Sequence, residues 1–300
     1  MRFYRRVSVW CTFVLLFGVL CTVSACGTTS SASNGVLKVV AAENFYGNLV
    51  SQLGGSHVSV TSILSDPNVD PHTYQSNVQT SLTVSQAQLV IENGGGYDDW
   101  MDKILGGAPN NNRLLVKGFD SAQNKLPDNE HVWYSFVNIA TIAQAITTDL
   151  KKLDPADAAA FDSNLQTFQQ SLQPLQQKIT DIKNKYNGTK VGLTETIYLY
   201  QALPEGLNVL TPFAFEKAIA EGNDPSADAV ITATDQINNH EIKILIYNEQ
   251  TITPVTTNLE NLAKAKNIPV VPVTETMPPN KTYQTWMLDQ LNALETALGG

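Results

Sequence analysis

The stretch 161-FDSNLQTFQQSLQPLQQKITDIKNKY-186 decides how the rest of the chain is read. Its apolar residues Phe161, Leu165, Phe168, Leu172, Leu175, Ile179, Ile182 and Tyr186 follow one another at alternating spacings of four and three. That spacing lines them up as one stripe on a helix. The pattern predicts a single long helix over residues 156–187, with Pro174 bending it locally because proline lacks the N–H and crowds the preceding turn. In isolation such a helix could serve as a dimerisation arm. Its length is marginal for a coiled coil, however, and both of its ends run into alternating strand and helix patterns, so a spine packed along two lobes is the better reading.

On the N-terminal side the strand-like runs are Val36 to Ala42, Val58 to Leu64, Leu89 to Glu92 and Leu114 to Val116. On the C-terminal side they are Val191 to Thr194, Asn208 to Thr211, Ile242 to Tyr247 and Val270 to Val273. Strand followed by helix, repeated, implies α/β units with mainly parallel sheets. The expected fold is therefore two α/β lobes, residues 36–155 and 188–300, joined by the linking helix. Ile139, Ile142, Ala143, Ile146 and Leu150 have core spacing on an earlier helix, and no short-period repeat is present.

The first 25 residues have the composition of a signal peptide, with Arg2, Arg5 and Arg6 ahead of an apolar run from Val7 to Leu20 that is too short for a comfortable membrane span. Val23-Ser24-Ala25-Cys26 resembles the lipobox of bacterial lipoproteins, which implies lipidation at Cys26, a flexible tether over residues 26–35 and attachment to a membrane. Cys11 and Cys21 would leave with the signal, so no disulfide framework is available and ordinary hydrophobic cores must hold the chain. The remaining 16 basic and 28 acidic residues give a net charge of -12. That balance argues against a nucleic-acid partner, and by itself it signifies solubility rather than a metal site.

Chemistry narrows to a few side chains. His72 lies in Asp70-Pro71-His72-Thr73-Tyr74, soon after a strand, and His131 in Glu130-His131-Val132-Trp133-Tyr134-Ser135, just ahead of a helix. Each is expected on a loop at the rim of the first lobe. Glu195 and Glu275 follow strands of the second lobe, at the carboxyl ends where open α/β sheets bind ligands. Two neutral imidazoles and two carboxylates would balance the charge of one divalent ion in the cleft between the lobes. His57 and His240 read as solvated residues. Glu249, after another strand, could compete with Glu195, although a surface or supporting role fits it better. Trp100 and Trp133 could line the cleft or simply pack in the core.

Taken together, Asp70-Pro71-His72-Thr73-Tyr74, Ile91-Glu92-Asn93-Gly94, Tyr97-Asp98-Asp99-Trp100, His131-Val132-Trp133-Tyr134-Ser135, Val273-Thr274-Glu275-Thr276 and Tyr283-Gln284-Thr285-Trp286-Met287 resemble, in order, the zinc and manganese solute-binding lipoproteins of bacterial ABC importers. The resemblance implies His72, His131, Glu195 and Glu275 as ligands of one divalent transition-metal ion, zinc or manganese, carried as cargo. It also implies an extracytoplasmic, lipid-anchored monomer that hands the ion to a membrane permease and is not an enzyme. The chain departs from the family in three places. Glu130 stands where the family has proline, so Glu130 could itself approach the ion. Glu195 is assigned from a short match around Thr194-Glu195-Thr196. Residues 107–130 are Asn- and Gly-rich rather than His-rich.

Imidazole and carboxylate without thiolate leave zinc, manganese or ferrous iron. Two bidentate carboxylates would raise the coordination number in favour of manganese, while zinc binds more tightly to almost any such site. The alternative from another class is a secreted metal-dependent hydrolase using the same His/Glu set, but no His-Glu-x-x-His, nucleophile elbow or phosphate loop is present. A pure adhesin has no positive feature.

Overall fold

The computed structural model describes residues 35–67, 69, 71 and 74–299. The signal segment, Cys26, all but the last residue of the tether, and His72 lie outside the described residues.

Short aliphatic runs form eight strands among the described residues, and these sort into two sheets. The first holds β1 (Leu37–Glu43), β2 (Val58–Leu64), β3 (Leu89–Glu92) and β4 (Leu114–Lys117) in the order β2-β1-β3-β4. The second holds β5 (Lys190–Leu193), β6 (Asn208–Val209), β7 (Ile244–Asn248) and β8 (Val270–Val273) in the order β6-β5-β7-β8. Every pairing is parallel. Parallel neighbours require crossover connections, and helices supply them: α1 (Asn44–Gly54), α2 (Val78–Ser85), α3 (Asp99–Gly107) and α4 (Gly118–Ser121) in the first half, and α8 (Leu199–Ala202), α9 (Phe213–Ala220), α10 (Ala227–Asn238), α11 (Pro254–Ala265) and α12 (Tyr283–Leu298) in the second, with α5 (Phe136–Leu153), α6 (Ala158–Ser171) and α7 (Gln173–Tyr186) between. Helices on both faces explain why β3 and β7 are buried along their whole length.

The linking segment differs from the single helix, bent at Pro174, that the sequence predicts. It runs as α6 and α7, which meet at Leu172. Leu172 keeps a right-handed helical backbone, and its carbonyl accepts from the Gln176 N–H at 3.1 Å. The interruption follows from Pro174, which has no N–H for the carbonyl of residue 170 and whose ring crowds that turn. The apolar stripe is nevertheless continuous: Phe161, Leu165, Phe168, Leu172, Leu175 and Ile182 are buried, and Ile179 and Tyr186 pack against them.

One hydrophobic core passes through both sheets. Leu37 and Leu89 of the first, Val191 and Ile244 of the second, the α6–α7 stripe and Leu291 and Leu294 of α12 belong to the same cluster, while smaller clusters cover the outer faces. Polar bonds stitch the halves at the same level. Asn44, at the start of α1, donates through Nδ2 to the Met277 carbonyl (2.6 Å) and accepts the Met277 N–H (2.9 Å). Tyr283 at the start of α12 donates to the Trp133 carbonyl at 2.6 Å. Thr282 and Thr285 close a capping box that fixes where α12 begins.

A shared core makes the two sheets unfold together. Phe168→Ala is expected to cost about 3–5 kcal/mol, measured by urea denaturation, with one cooperative transition seen alike by circular dichroism and tryptophan fluorescence. Two separated transitions, or a negligible change in the midpoint, would contradict the shared core.

Candidate metal centre

The strand orders place the crevices. In each sheet the chain reverses its direction of winding next to the first strand, between β1 and β3 and between β5 and β7, and the carboxyl ends there open a cleft for a ligand. Glu195 follows β5, Asn248 ends β7 and Glu275 follows β8, so the second sheet presents two carboxylates and an amide at one edge. His131 comes from the first half, on the segment before α5.

These groups meet. His131, Glu195, Glu275 and Asn248 are all buried, and His131 Nε2 lies 3.2 Å from Glu195 Oε1. Tetrahedral zinc bonds of about 2.1 Å put neighbouring ligand atoms about 3.4 Å apart, so this pair already has the separation of two ligands on one ion. Asn248 Nδ2 donates to Glu195 Oε2 and to Glu275 Oε1, the latter at 2.7 Å. Both carboxylates are thereby held by a single amide. Tyr97, from the first half, donates its hydroxyl to Glu275 Oε2 at 2.9 Å. Burial, and then the Glu275 charge, push the Tyr97 phenol well above its ordinary range, so it stays a donor.

The imidazole is oriented from behind. Asn129 Oδ1 accepts the His131 backbone N–H at 3.1 Å and lies 3.0 Å from His131 Nδ1. Asn129 Nδ2 donates to the Thr196 carbonyl at 2.8 Å, which fixes the amide with its oxygen toward the ring. In the neutral imidazole Nδ1 then carries the hydrogen and Nε2 the lone pair, the arrangement a ligand histidine needs. Trp133 meets the ring edge-on at 5.1 Å and stacks on Phe45 at 4.7 Å, so it packs the core and walls the site at once. Glu275 is placed by Gln250, whose Oε1 accepts the Glu275 and Thr276 N–H groups at 2.7 and 2.8 Å.

The remaining expectations fare differently. His131 is fully buried at the junction rather than standing on a rim. Glu249 is exposed, and the residue its loop sends to the site is the preceding Asn248. Nothing in the sequence singles out Asn248, because an amide at a strand end carries no metal signature; its place at the end of a fully buried strand is the available clue. The sequence signals Tyr97 only as part of Tyr97-Asp98-Asp99-Trp100. Glu130 is half-buried, and its carbonyl accepts from Asn93. Trp100 packs against Tyr74 at 4.6 Å, in a cluster with Val40, Val90 and Met101 that is separate from the main core. His240 is exposed, as expected. His57 is not simply solvated: its Nδ1 pairs with Asp157 at 2.7 Å, and with Asp154 it forms a group of donor atoms within 4.8 Å of one another. That group is half-exposed and reads as an ion pair joining two turns.

The matching crevice of the first sheet holds acids of another kind. Burial, and next the charge of Asp98, push Glu43 well above the usual carboxylate range. Asp98 accepts the Asn93 and Gly94 N–H groups, both at 2.6 Å. The turn that makes this possible runs through Gly94, Gly95 and Gly96, all at positive φ, and a Cβ on Gly95 would strike the Phe119 ring at 2.7 Å. This turn delivers Tyr97 to Glu275. Glu92 is pushed up to about 7 by burial, against the opposing pull of Lys117, whose Nζ lies 2.6 Å away.

Comparison with known proteins agrees with the architecture. A family model described as zinc-uptake complex component A, periplasmic, matches residues 39–297. A metal ABC transporter substrate-binding lipoprotein of Streptococcus cristatus is 22% identical over 277 residues, covering 87% of each chain. A manganese-binding lipoprotein of Bacillus subtilis is 27% identical over 156 residues, covering 49% of this chain and 51% of its own. Among solved structures, a periplasmic zinc-binding protein of Treponema pallidum superposes with a TM-score of 0.77 at 17% identity, covering 89% of this chain and all of its own. A solute-binding protein of Pseudomonas aeruginosa solved with Mn2+ gives 0.73 at 19% identity, covering 88% of this chain and 98% of its own.

The buried acids set the sign of a pH dependence. Burial also raises Glu205 and Glu216 well above the carboxylate range. With Glu43 and Glu92, they hold protons in the folded state that the unfolded chain releases above about pH 4.3. The unfolded state then binds fewer protons, so stability falls as pH rises from that value through the folded-state values, which for Glu92 is about 7. The metal-free chain is expected to show a higher urea midpoint at about pH 5.5 than at about pH 7.5, and Glu216→Gln to reduce the difference. A midpoint that rises toward neutral pH would contradict the assignment.

Proposed function

We propose, since the chain belongs to the family of periplasmic zinc-uptake component A proteins, that it captures one divalent transition-metal ion, zinc or manganese, outside the cytoplasm and delivers it to the permease of an ABC importer. The observation that carries this reading is the approach of His131 Nε2 to Glu195 Oε1 at 3.2 Å in a buried junction where Glu275 is tied to the same amide as Glu195. His72 completes the ligand set on the strength of its Asp-Pro-His-Thr-Tyr segment.

Four protein ligands fill a tetrahedral shell and leave no position for an activated water, which favours transport over hydrolysis. Dehydration of the ion is compensated by two carboxylates in a low-dielectric site, and the resulting complex is electrically balanced. Because the core and the Asn44–Met277 bonds span both halves, loading and release proceed through small shifts of the two sheets and their loops rather than wide opening. Lipidation at Cys26 keeps the monomeric receptor beside its permease. The names of the relatives agree: the Streptococcus cristatus protein is a metal ABC transporter substrate-binding lipoprotein.

Purified without chelator, the chain is expected to carry one equivalent of zinc or manganese by native mass spectrometry. His72→Ala, His131→Ala, Glu195→Ala and Glu275→Ala are each expected to weaken binding at least about 100-fold, and Glu249→Ala to leave it unchanged. Retention of wild-type affinity by the His131 and Glu195 variants would overturn the reading.

A further inference from the structure

Gln250 stands in the loop after β7, and although it is buried its side chain uses every hydrogen-bonding position an amide has. Its Oε1 accepts the N–H groups of Glu275 and Thr276, at 2.7 and 2.8 Å. Its Nε2 donates to Thr276 Oγ1 at 2.8 Å and to the Val69 carbonyl at 3.3 Å. Two main-chain N–H groups can face only an oxygen, so the amide has one orientation and its nitrogen is the end turned to Val69. The loop itself is held as well: the Gln250 N–H donates to Asn248 Oδ1 at 3.0 Å and the Glu249 N–H to the Val273 carbonyl at 2.9 Å.

These partners lie on both sides of the junction. Glu275 and Thr276 follow β8 of the second half. Val69 belongs to the first half, beyond the end of β2, in a turn where its N–H donates to the Asp66 carbonyl at 3.2 Å, and in the chain it immediately precedes Asp70-Pro71-His72. The far end of the Glu275 turn is gripped by Asn44, which takes the Met277 N–H. Three successive main-chain N–H groups, of Glu275, Thr276 and Met277, thus end on side-chain amides. Asn44 reaches the turn from the first half, while Gln250 joins the turn to Val69.

We propose that Gln250 is a positioning residue that sets how fast the cargo leaves: one amide fixes the main chain of Glu275 and ties it across the junction to Val69. An ion held by His131 of the first half and Glu275 of the second leaves when the two draw apart, and the Gln250–Val69 bond opposes that movement. This rests on Glu275 being a ligand. It involves the Glu275 main chain alone and is indifferent to which carboxylate oxygen meets the ion.

The test is the release of Co2+, whose visible absorption reports its ligand geometry, from the full mature chain mixed with excess EDTA in a stopped-flow instrument. Gln250→Glu keeps an acceptor for the Glu275 and Thr276 N–H groups and puts an oxygen where the donor faced Val69. Its added negative charge attracts the cation and by itself slows release, so faster release reports the lost donor. Gln250→Ala and Gln250→Glu are each expected to release Co2+ at least about tenfold faster than wild type. Gln250→Ala is expected to alter the cobalt band too, because the Glu275 main chain loses its acceptor. Phe168→Ala, which weakens the shared core, is expected to keep the wild-type rate and band. If Gln250→Ala does not fold, Gln250→Glu decides. Wild-type release from either folded Gln250 variant overturns the proposal, and so does equal acceleration in Phe168→Ala, which is what a general loss of stability gives. A cobalt band left unchanged by Glu275→Ala would instead show that Glu275 is not a ligand and that the underlying metal-centre reading has failed.

Discussion

Two carboxylates and an imidazole are buried side by side at the junction of two parallel sheets, and such a grouping costs free energy unless donors or a cation answer it. The surrounding structure is arranged around that constraint. Asn248 and Thr251 from the second sheet and Tyr97 from the first give hydrogens to the carboxylate oxygens, and Asn129 orients the imidazole. A divalent ion completes the balance with the opposite charge.

The two sheets share a strand order, and each brings an acid and an asparagine to its crevice: Glu43 and Asn93 in the first, Glu195 and Asn248 in the second. They use them oppositely. In the first, burial and the Asp98 charge push Glu43 well above the usual carboxylate range, and a turn runs through Gly94 to Gly96 at positive φ. The first crevice is thus a scaffold that aims Tyr97 and supports the His131 segment through the Asn93–Glu130 bond, while the second presents its acids to the junction. The continuous core and α12 fix the distance between the crevices.

Much of this was legible in the chain. Strand-and-helix alternation located the strands, with ends displaced by up to two residues, because buried parallel strands are short aliphatic runs that stand out from their surroundings. The linking helix was legible as a stripe, although the break at Leu172 sits two residues before the proline that causes it. Of the candidate site, Glu195 and Glu275 could be picked out because they follow strands, where α/β sheets bind ligands, and His131 because of its His-Val-Trp-Tyr-Ser segment ahead of α5. Asn248 and Asn129 could not, since nothing in an isolated asparagine says that it will face two carboxylates or the back of an imidazole; that information arises only when β5, β7 and β8 are placed side by side.

The place of the ion is the decisive observable. Anomalous diffraction at the zinc edge, from crystals of the metal-loaded chain, locates it directly. The expected result is one peak at the junction, about 2.0–2.2 Å from His131 Nε2, Glu195 Oε1 and Glu275 Oε2. A principal peak elsewhere, for instance on the half-exposed His57–Asp157 pair, with His131 and Glu195 still facing each other across an ion-free gap, would contradict it.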